Sequence, residues 1–537
     1  MFDIQELERR HAVMRDSKAL EEPAFRDIAR ILRPDDQSFA RGEKIDRDAY
    51  DLFDSTPLYA NAEFASGMFT EAVNPAERWM ELTIEDKDLA KWGPVQAWLW
   101  GEASLVFNSL SPAVSGFYGA AHGWFANGGA FGNAFEYQEE WVGKQKIIDL
   151  NIPIGQSFFD VDIAGDMCSF DREWRVKGWQ AQEFFGDAAR GLNADREYTL
   201  VHAVYQNPDY KPGMIGQRGK LMASTYYTPD DRDFRVDRGY FEMPYAPLFW
   251  DKRNGRAWAS GPGHNARADM NMNNEIARSN MVDAQFSAEP LILTSKEGLF
   301  SAADIMPNNI LEGALNPEGK KQVEYLQRGD NSARAESKAQ QVRDAIKEAW
   351  HFNLDQVAGR PQMTATEFMG WKAERLRQLA PHLVRVQQGL AAFVGRRYRI
   401  LARAGQTMPP PPELAGHNVA VEFVSPLAKA QRLATGQAVM QWVGMLGEVA
   451  KAKGDPSVLD NINEDGVARV LHEAIVGEPA VLNDQNTVAG KRQQRAQFEQ
   501  QQIQAENASK AAGMVADVAH ASQAMTLSQK RAGAPAQ

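Results

Sequence analysis

Few side chains in this sequence stand at spacings that could do chemistry. Asp160 and Asp162 alternate along FFDVDI (158–163), so both carboxylates would leave one strand face and could hold a hard cation. The same alternation is what the solvent face of a strand looks like. Asp230, Asp231 and Asp233 sit in the polar TPDDRD between two strand patterns and read as hairpin-turn residues. GPGHNA (261–266) opens a helix and resembles a dinucleotide loop, but RAWAS before it is a poor strand and no βαβ unit follows. Its glycines read as a tight entry into a helix. GMIGQRGKL (213–221) is a damaged phosphate loop: Gly213 is one position out, and Leu221 stands where magnesium needs a hydroxyl. His202 lies inside the apolar run YTLVHAVYQ and reads as a satisfied core histidine. The nine histidines show no HExxH pairing, and no Gly-x-Ser-x-Gly elbow is present. The single cysteine, Cys168, excludes an internal disulfide and a Cys-based zinc site; beside Met167 and Phe170 it reads as a small core residue. No acid–base or nucleophile–base set assembles. The expectation is a non-enzyme without cofactor or metal.

The elements that carry these residues follow from periodicity. Phe25, Ile28, Ala29 and Leu32 mark a helix stopped by Pro34. Thr56-Pro57 reads as an N-cap before a helix through Ala72, and another helical stretch covers 92–126, interrupted near Ser111-Pro112. From 134 to 258 the pattern turns to strands: 158–163, 198–206, 221–227 and 234–243, with a short helix at 179–190. This predicts an α+β unit. Helices at 265–289 and 332–352, the second with Ala335, Ala339, Val342, Ile346 and Ala349 in heptad spacing, bracket a turn-rich insert, a stalk with a knob. Thr364 and Glu367 form a capping box, with Met363 and Phe368 as its staple. The helix that follows carries the seam Leu376, Leu379, Leu383, Val386, Leu390 and Phe393, which requires a partner helix or subunit, and Pro381 should kink it. After the Pro409–Pro412 spacer come a strand at 419–424, helices at 426–453 and 465–477, and a Gln- and Ala-rich tail from about 487 whose end is expected to be disordered.

The charge constrains partners. At −12, with a pI near 5.4, the chain lacks the basic surplus of a protein that grips DNA, which argues against a repressor, nuclease or packaging motor. An acidic surface past which DNA slides is compatible with it. No run of about 20 apolar residues exists. The charged start, MFDIQELERRH, leads us to expect no secretory leader, and the cysteine usage to expect folding in a reducing cytoplasm.

Three segments resemble the head-to-tail connecting (portal) proteins of short-tailed, T7-like phages: IPIGQSFFDVDIAGDMCSFDREWRVKGWQAQEFFG (152–186), PYAPLFWDKRNGRAWASGPGHNARADMNMNNE (244–275) and MTATEFMGWKAERLRQLAPHLVRVQQGLAAFVGRRYRILARAGQTMPPPPEL (363–414). The last is the most specific, with its capped helix, long seam, Arg396-Arg397, Gly405 and proline run. NDQNTVAGKRQQRAQ (483–497) is similar to the family's closing pattern. The resemblance implies a mainly helical α+β portal fold. Residues 1–264 would form the wing, 265–289 and 332–352 the stem, 290–331 the clip, 353–424 a tunnel loop with a long kinked helix returning to the wing, and 425–537 the crown with a C-terminal barrel or tail.

It further implies a homododecameric ring at one capsid vertex of the virion, assembled in the host bacterial cytoplasm. Double-stranded DNA would pass through this ring in packaging and ejection, and the tail would attach to it. Partners would be the terminase large subunit, tail adaptor proteins, and the major capsid and scaffolding proteins, with no membrane. The tunnel loop would run from Phe352 to Thr364, where His351, Arg360 and Gln362 are polar groups able to meet phosphates; the same span also reads as an ordinary interhelical turn. On the second stem helix Arg334 and Lys338, with Arg343 and Lys347, are either weak phosphate contacts or surface pairs. The alternative reading is a nucleic-acid-processing phage component, a nuclease or motor subunit. The missing Walker motif and the lack of an acidic triad in a nuclease context weigh against it.

Overall fold

A computed structural model describes residues 1–34, 52–90, 92–141, 146–229, 231–253, 255–288, 292–294, 320, 323–325, 332–350, 365–414, 416–424, 426–475, 477–478, 481–483 and 485–532. In chain order the helices are α1 (Ile4–Ala19), α2 (Glu22–Leu32), α3 (Thr56–Ala72), α4 (Lys87–Ala90), α5 (Gly93–Ser109), α6 (Phe117–Phe131), α7 (Gly178–Phe185), α8 (Pro262–Asn265), α9 (Arg267–Ala288), α10 (Ser332–Ala349), α11 (Ala365–Arg403), α12 (Pro426–Lys453), α13 (Glu464–Ile475) and α14 (Gln485–Ala532). The strands are β1 (Met80–Ile84), β2 (Asn133–Trp141), β3 (Lys146–Ile152), β4 (Ser157–Val161), β5 (Met167–Lys177), β6 (Glu197–Gln206), β7 (Met222–Thr228), β8 (Asp231–Tyr240), β9 (Tyr245–Phe249), β10 (Ile292–Thr294), β11 (Val323–Tyr325) and β12 (Val419–Phe423). The fold is mainly helical with antiparallel sheets, as the periodicity predicts.

Two compact units divide the chain. The first comprises Met1–Glu85, Gly101–Pro410 and Gly416–Lys429, and its centre is α6. FYGAAHGWFANGGAF is apolar or small apart from His122 and Asn127, and it is buried at Phe117, Tyr118 and Ala121 and all along Trp124 to Phe131, with His122 on its exposed side. Its small residues allow that: a Cβ on Gly129 would meet Asn61 Oδ1 of α3 at 2.6 Å, and one on Gly128 would meet Leu248 of β9 at 2.6 Å. The helix ends at Gly132, whose φ of +68° turns the chain directly into β2. Helices α2 and α3 and strands β2 and β3 pack around it.

The larger sheets of this unit are a three-stranded one ordered β3-β2-β9 and a five-stranded one ordered β4-β5-β6-β7-β8; the two-stranded pairs β1-β12 and β10-β11 belong to it as well. The continuous apolar run of β6 is explained by its place as the middle strand, covered on both faces from Tyr198 to Tyr205. Helix α1 lies on this sheet through Leu7 and through Lys18, whose ammonium is buried and donates to the carbonyls of Ile154 (2.6 Å) and Gly155 (2.8 Å). The strand expected at 419–424 is present as β12, paired with β1 in register Met80↔Phe423 to Ile84↔Val419.

Some boundaries differ from expectation. Thr56 is already helical in α3, with Ser55 as the residue before its first turn, and the Thr56 N–H donates to the carboxylate of Asp54 at 2.8 Å. Strand β4 stops at Val161, one residue short of Asp162. The capping residue Thr364 and its staple partner Met363 fall outside the described residues.

The second unit comprises Asp86–Trp100, Pro411–Ala415 and Ala430–Gln537. Within it α12 and α13 approach closely at Gly436, where a Cβ would meet that of Ala474 at 2.8 Å. Arg492 of α14 holds Asp465 of α13 by two hydrogen bonds of 2.6 and 2.8 Å. Helix α14 continues to Ala532 with Phe498, Ile503, Val515, Val518 and Met525 all exposed.

Candidate functional site

The stalk expected around the 290–330 insert is formed by two helices that pack against each other, α9 and α10. The pairing continues beyond them: β10 and β11 are antiparallel, with Ile292 opposite Tyr325 and Thr294 opposite Val323. Its base is tied to the core of the first unit. Val342, Ile346 and Trp350 are buried there with Met270 of α9, and the Trp350 indole N–H donates to Asn61 of α3 at 3.3 Å. Arg343 donates to Asp54 at 2.9 Å and to Glu336 at 3.1 Å. Burial alone would raise the Asp54 carboxyl, yet hydrogen bonds from Thr56 and Arg343 bring it below its ordinary value. Arg343 is therefore an anchor within the chain and not a spare cation for phosphate. Lys338 is exposed on α10. The side chain of Arg334, and all of His351, Arg360 and Gln362, lie outside the described residues.

The long helix α11 carries the seam. Val386, Leu390 and Phe393 are buried and Leu383 half-buried, all in the chain's own core beside Phe117 and Trp124; Phe393 stacks on Phe117 at 4.9 Å. Here the burial that the seam requires is met within one subunit. The side chains of Leu376 and Leu379 are outside the described part. The next turn brings two buried arginines. Arg397 donates to Asp149 of β3 at 3.1 and 3.2 Å, while Arg396 donates to the carbonyl of Glu242 at 3.0 Å and to that of Gln138 at 3.3 Å. Burial lowers the Arg397 guanidinium from its ordinary value against the pull of Asp149 and Glu136. Glu136 is pushed well up, first by burial and then by Asp149. These charges fix where α11 crosses the sheet.

The residues read as possible chemistry resolve as structure. Asp162 accepts the N–H groups of Ala164 and Asp166, both at 2.9 Å, in the turn after β4, so it does not share a strand face with Asp160. Among the described residues no group of three or more His, Cys, Asp or Glu could hold a metal. His202 is held between the hydroxyls of Tyr245 (2.7 Å) and Ser224 (2.8 Å) and stacks on Tyr226, and burial, followed by Arg172 and Arg238, depresses its pKa well below the usual imidazole value. It is the satisfied core histidine expected. GPGHNA is a backbone crossing: a Cβ on Gly261 would meet Gly132 N at 2.5 Å, and one on Gly263 would meet the Ala130 carbonyl at 2.2 Å. GMIGQRGKL is a loop with one short 3₁₀ turn before β7. Cys168 is only half-buried, on β5, where burial, then Asp160, raises its thiol pKa.

Comparison with known proteins decides among the readings that remain. A family model described as bacteriophage head to tail connecting protein matches residues 4–482. The chain belongs to this family. It is 26% identical over 482 residues to the probable portal protein of Bordetella phage BPP-1, covering 87% of this chain and 85% of the relative. It is also 24% identical over 557 residues to the portal protein of Salmonella phage epsilon15, covering 98% of each. This connector subunit is a structural portal component of the capsid vertex, where the tail attaches. The family is structural, and portal proteins are parts of the virion. No helix of the described residues is long and apolar enough to cross a membrane. Sequence reasoning missed the buried pair Arg397–Asp149 and the bonds of Asp54 to Thr56 and Arg343.

Proposed function

We propose that twelve copies of this chain close into a ring through which double-stranded DNA passes during packaging and ejection. The observation that carries this is the anchored hairpin of α9, β10, β11 and α10, in a chain matched by the connector family along most of its length. A paired stalk rooted in the core by Trp350 and Arg343 can transmit load between a head-side and a tail-side attachment. In this reading 265–289 and 332–352 are the stem, 290–331 the clip, 1–264 with most of 353–424 the wing, and 425–537 the crown. The clip meets the tail adaptor proteins and the terminase large subunit in turn, and the wing meets the major capsid and scaffolding proteins. On this reading His351, Arg360 and Gln362 in the tunnel loop, and Arg334 and Lys338 on the stem, are the groups expected to meet DNA. The acidic balance of the chain suits a conduit, because each phosphate neutralised by a cation adds salt-dependent grip. Electron microscopy of the purified protein tests the reading. Rings with an open central hole are expected; particles without a hole would overturn it.

A further inference from the structure

A groove of about 1240 Å³ opens in the first unit beside Arg396 and the Asp162 turn. It lies between the β4–β5 turn, strand β9 with the loop after it, and one face of α11. The helix contributes Arg385, Gln388, Gly389, Ala392, Arg396 and Arg399, residues that stack over one another at helical spacing. Gly389 and Ala392 make a flat floor, with arginines at both ends of it. The glycine is required: a Cβ there would meet the Pro247 carbonyl at 2.6 Å and the Trp124 ring at 2.9 Å.

The lining is basic in an acidic chain. Lys252, Arg253 and Arg256 join the three arginines of α11, against only Asp162, Asp166 and Glu242. Among the described residues neither Arg253 nor Arg385 has a carboxylate within ion-pair distance. Arg399 reaches Glu242 only at 4.0 Å, with its side chain 55% exposed. Arg396, 4% exposed, is paired with Glu242 at 3.3 Å, and only its Nε lacks an acceptor; Arg256 meets Glu21 at 3.8 Å and Lys252 donates to the Gly165 carbonyl. The cations left open are Arg253, Arg385 and Arg399, and beside apolar Met243, Phe249 and Ala257 they call for an anionic occupant that also covers apolar surface. The volume exceeds the roughly 300–1,000 Å³ of a small-molecule pocket, so a chain segment fits better.

We infer that the groove is a socket for an acidic segment of a neighbouring copy of this same chain. The inference rests on the ring reading above. Subunits in a ring meet head-to-tail, so a patch on one side must match a different patch on the other. Because the net charge of the whole chain is −12, the surface outside this basic groove is more acidic still, and every neighbour offers carboxylates at fixed stoichiometry.

The test uses Ala392→Cys in a Cys168→Ala background, labelled with a maleimide as unassembled subunit and as ring. Ala392 is exposed in the single chain, so free subunit should label readily and rings about ten-fold more slowly or not at all. Arg385→Glu with Arg399→Glu should raise the subunit concentration needed for rings about ten-fold or more while leaving the melting temperature of the unassembled chain unchanged. Rings that label as fast as free subunit, or charge-reversed chains that assemble like the unaltered one, would overturn the socket and leave the ring reading intact. Protection that arises only when another virion protein is added would assign the groove to that protein and overturn the inference. If the unaltered chain forms no rings, both readings fall together.

Discussion

Arg397 and Asp149, 248 residues apart, meet at 3.1 and 3.2 Å with their side chains 2% and 0% exposed. The carboxylate is fully engaged: Gln138 donates to it at 3.1 Å, and the Ser115 hydroxyl donates to its other oxygen. Through this pair the end of α11 is locked onto β3. Such a pair is worth little compared with an apolar replacement, but removing one partner strands a buried charge.

Replacing Arg397 with Met should therefore destabilise the unassembled subunit by about 3–5 kcal/mol, and adding Asp149→Leu should recover much of that loss. Urea denaturation of both variants checks this. A single variant as stable as the parent would show that α11 is held by its apolar contacts alone.

Leu390 is 1% exposed within the subunit's own core. Leu390→Ala should cost about 2–5 kcal/mol in subunit stability, as cavity-forming changes in cores do. Half-buried Leu383→Ala should cost less. If Leu390→Ala leaves the free subunit unchanged and impairs only ring formation, the seam is an interface at this position.

His11 of α1 sits between Asp171 (3.0 Å) and Glu173 (2.8 Å) of β5, with Arg15 also on Glu173, Arg10 near Asp171 and the Phe158 ring of β4 edge-on to it. Burial disfavours its charged form, but the two carboxylates outweigh burial and raise its pKa. A folded-state value above the ordinary one of about 6.5 means the stabilisation is complete below that pH and is lost as pH rises through the raised value. Chemical denaturation from neutral to alkaline pH should show a steeper loss in the parent than in His11→Gln. Equal slopes would contradict the assignment.

Most elements were legible because their periodicities are local. The apolar stripe of α2 and the strand at β12 each follow from a few neighbouring residues, whereas the alternation expected over 158–163 is absent: Phe158 and Phe159 are both buried in β4 and Ile163 is exposed beyond its end. Partners were not: nothing near β12 points to β1, more than 300 residues earlier. Arg397 did leave a signal, since it follows Val386, Leu390 and Phe393 on the same 4-3-4 stripe, and a charge on a buried stripe implies a buried counter-charge. Arg396, next to it, falls on the stripe of Gly389 and Ala392 that floors the groove. The side chains assigned to DNA had no such periodic support, and the choice of His351, Arg360 and Gln362 rested on chain position.

Ring closure is tested most directly by the mass of the purified protein, measured by native mass spectrometry. A closed assembly with twelve times the mass of the 59.8 kDa chain is expected. A species that stays at the single-chain mass at every concentration tried would contradict it.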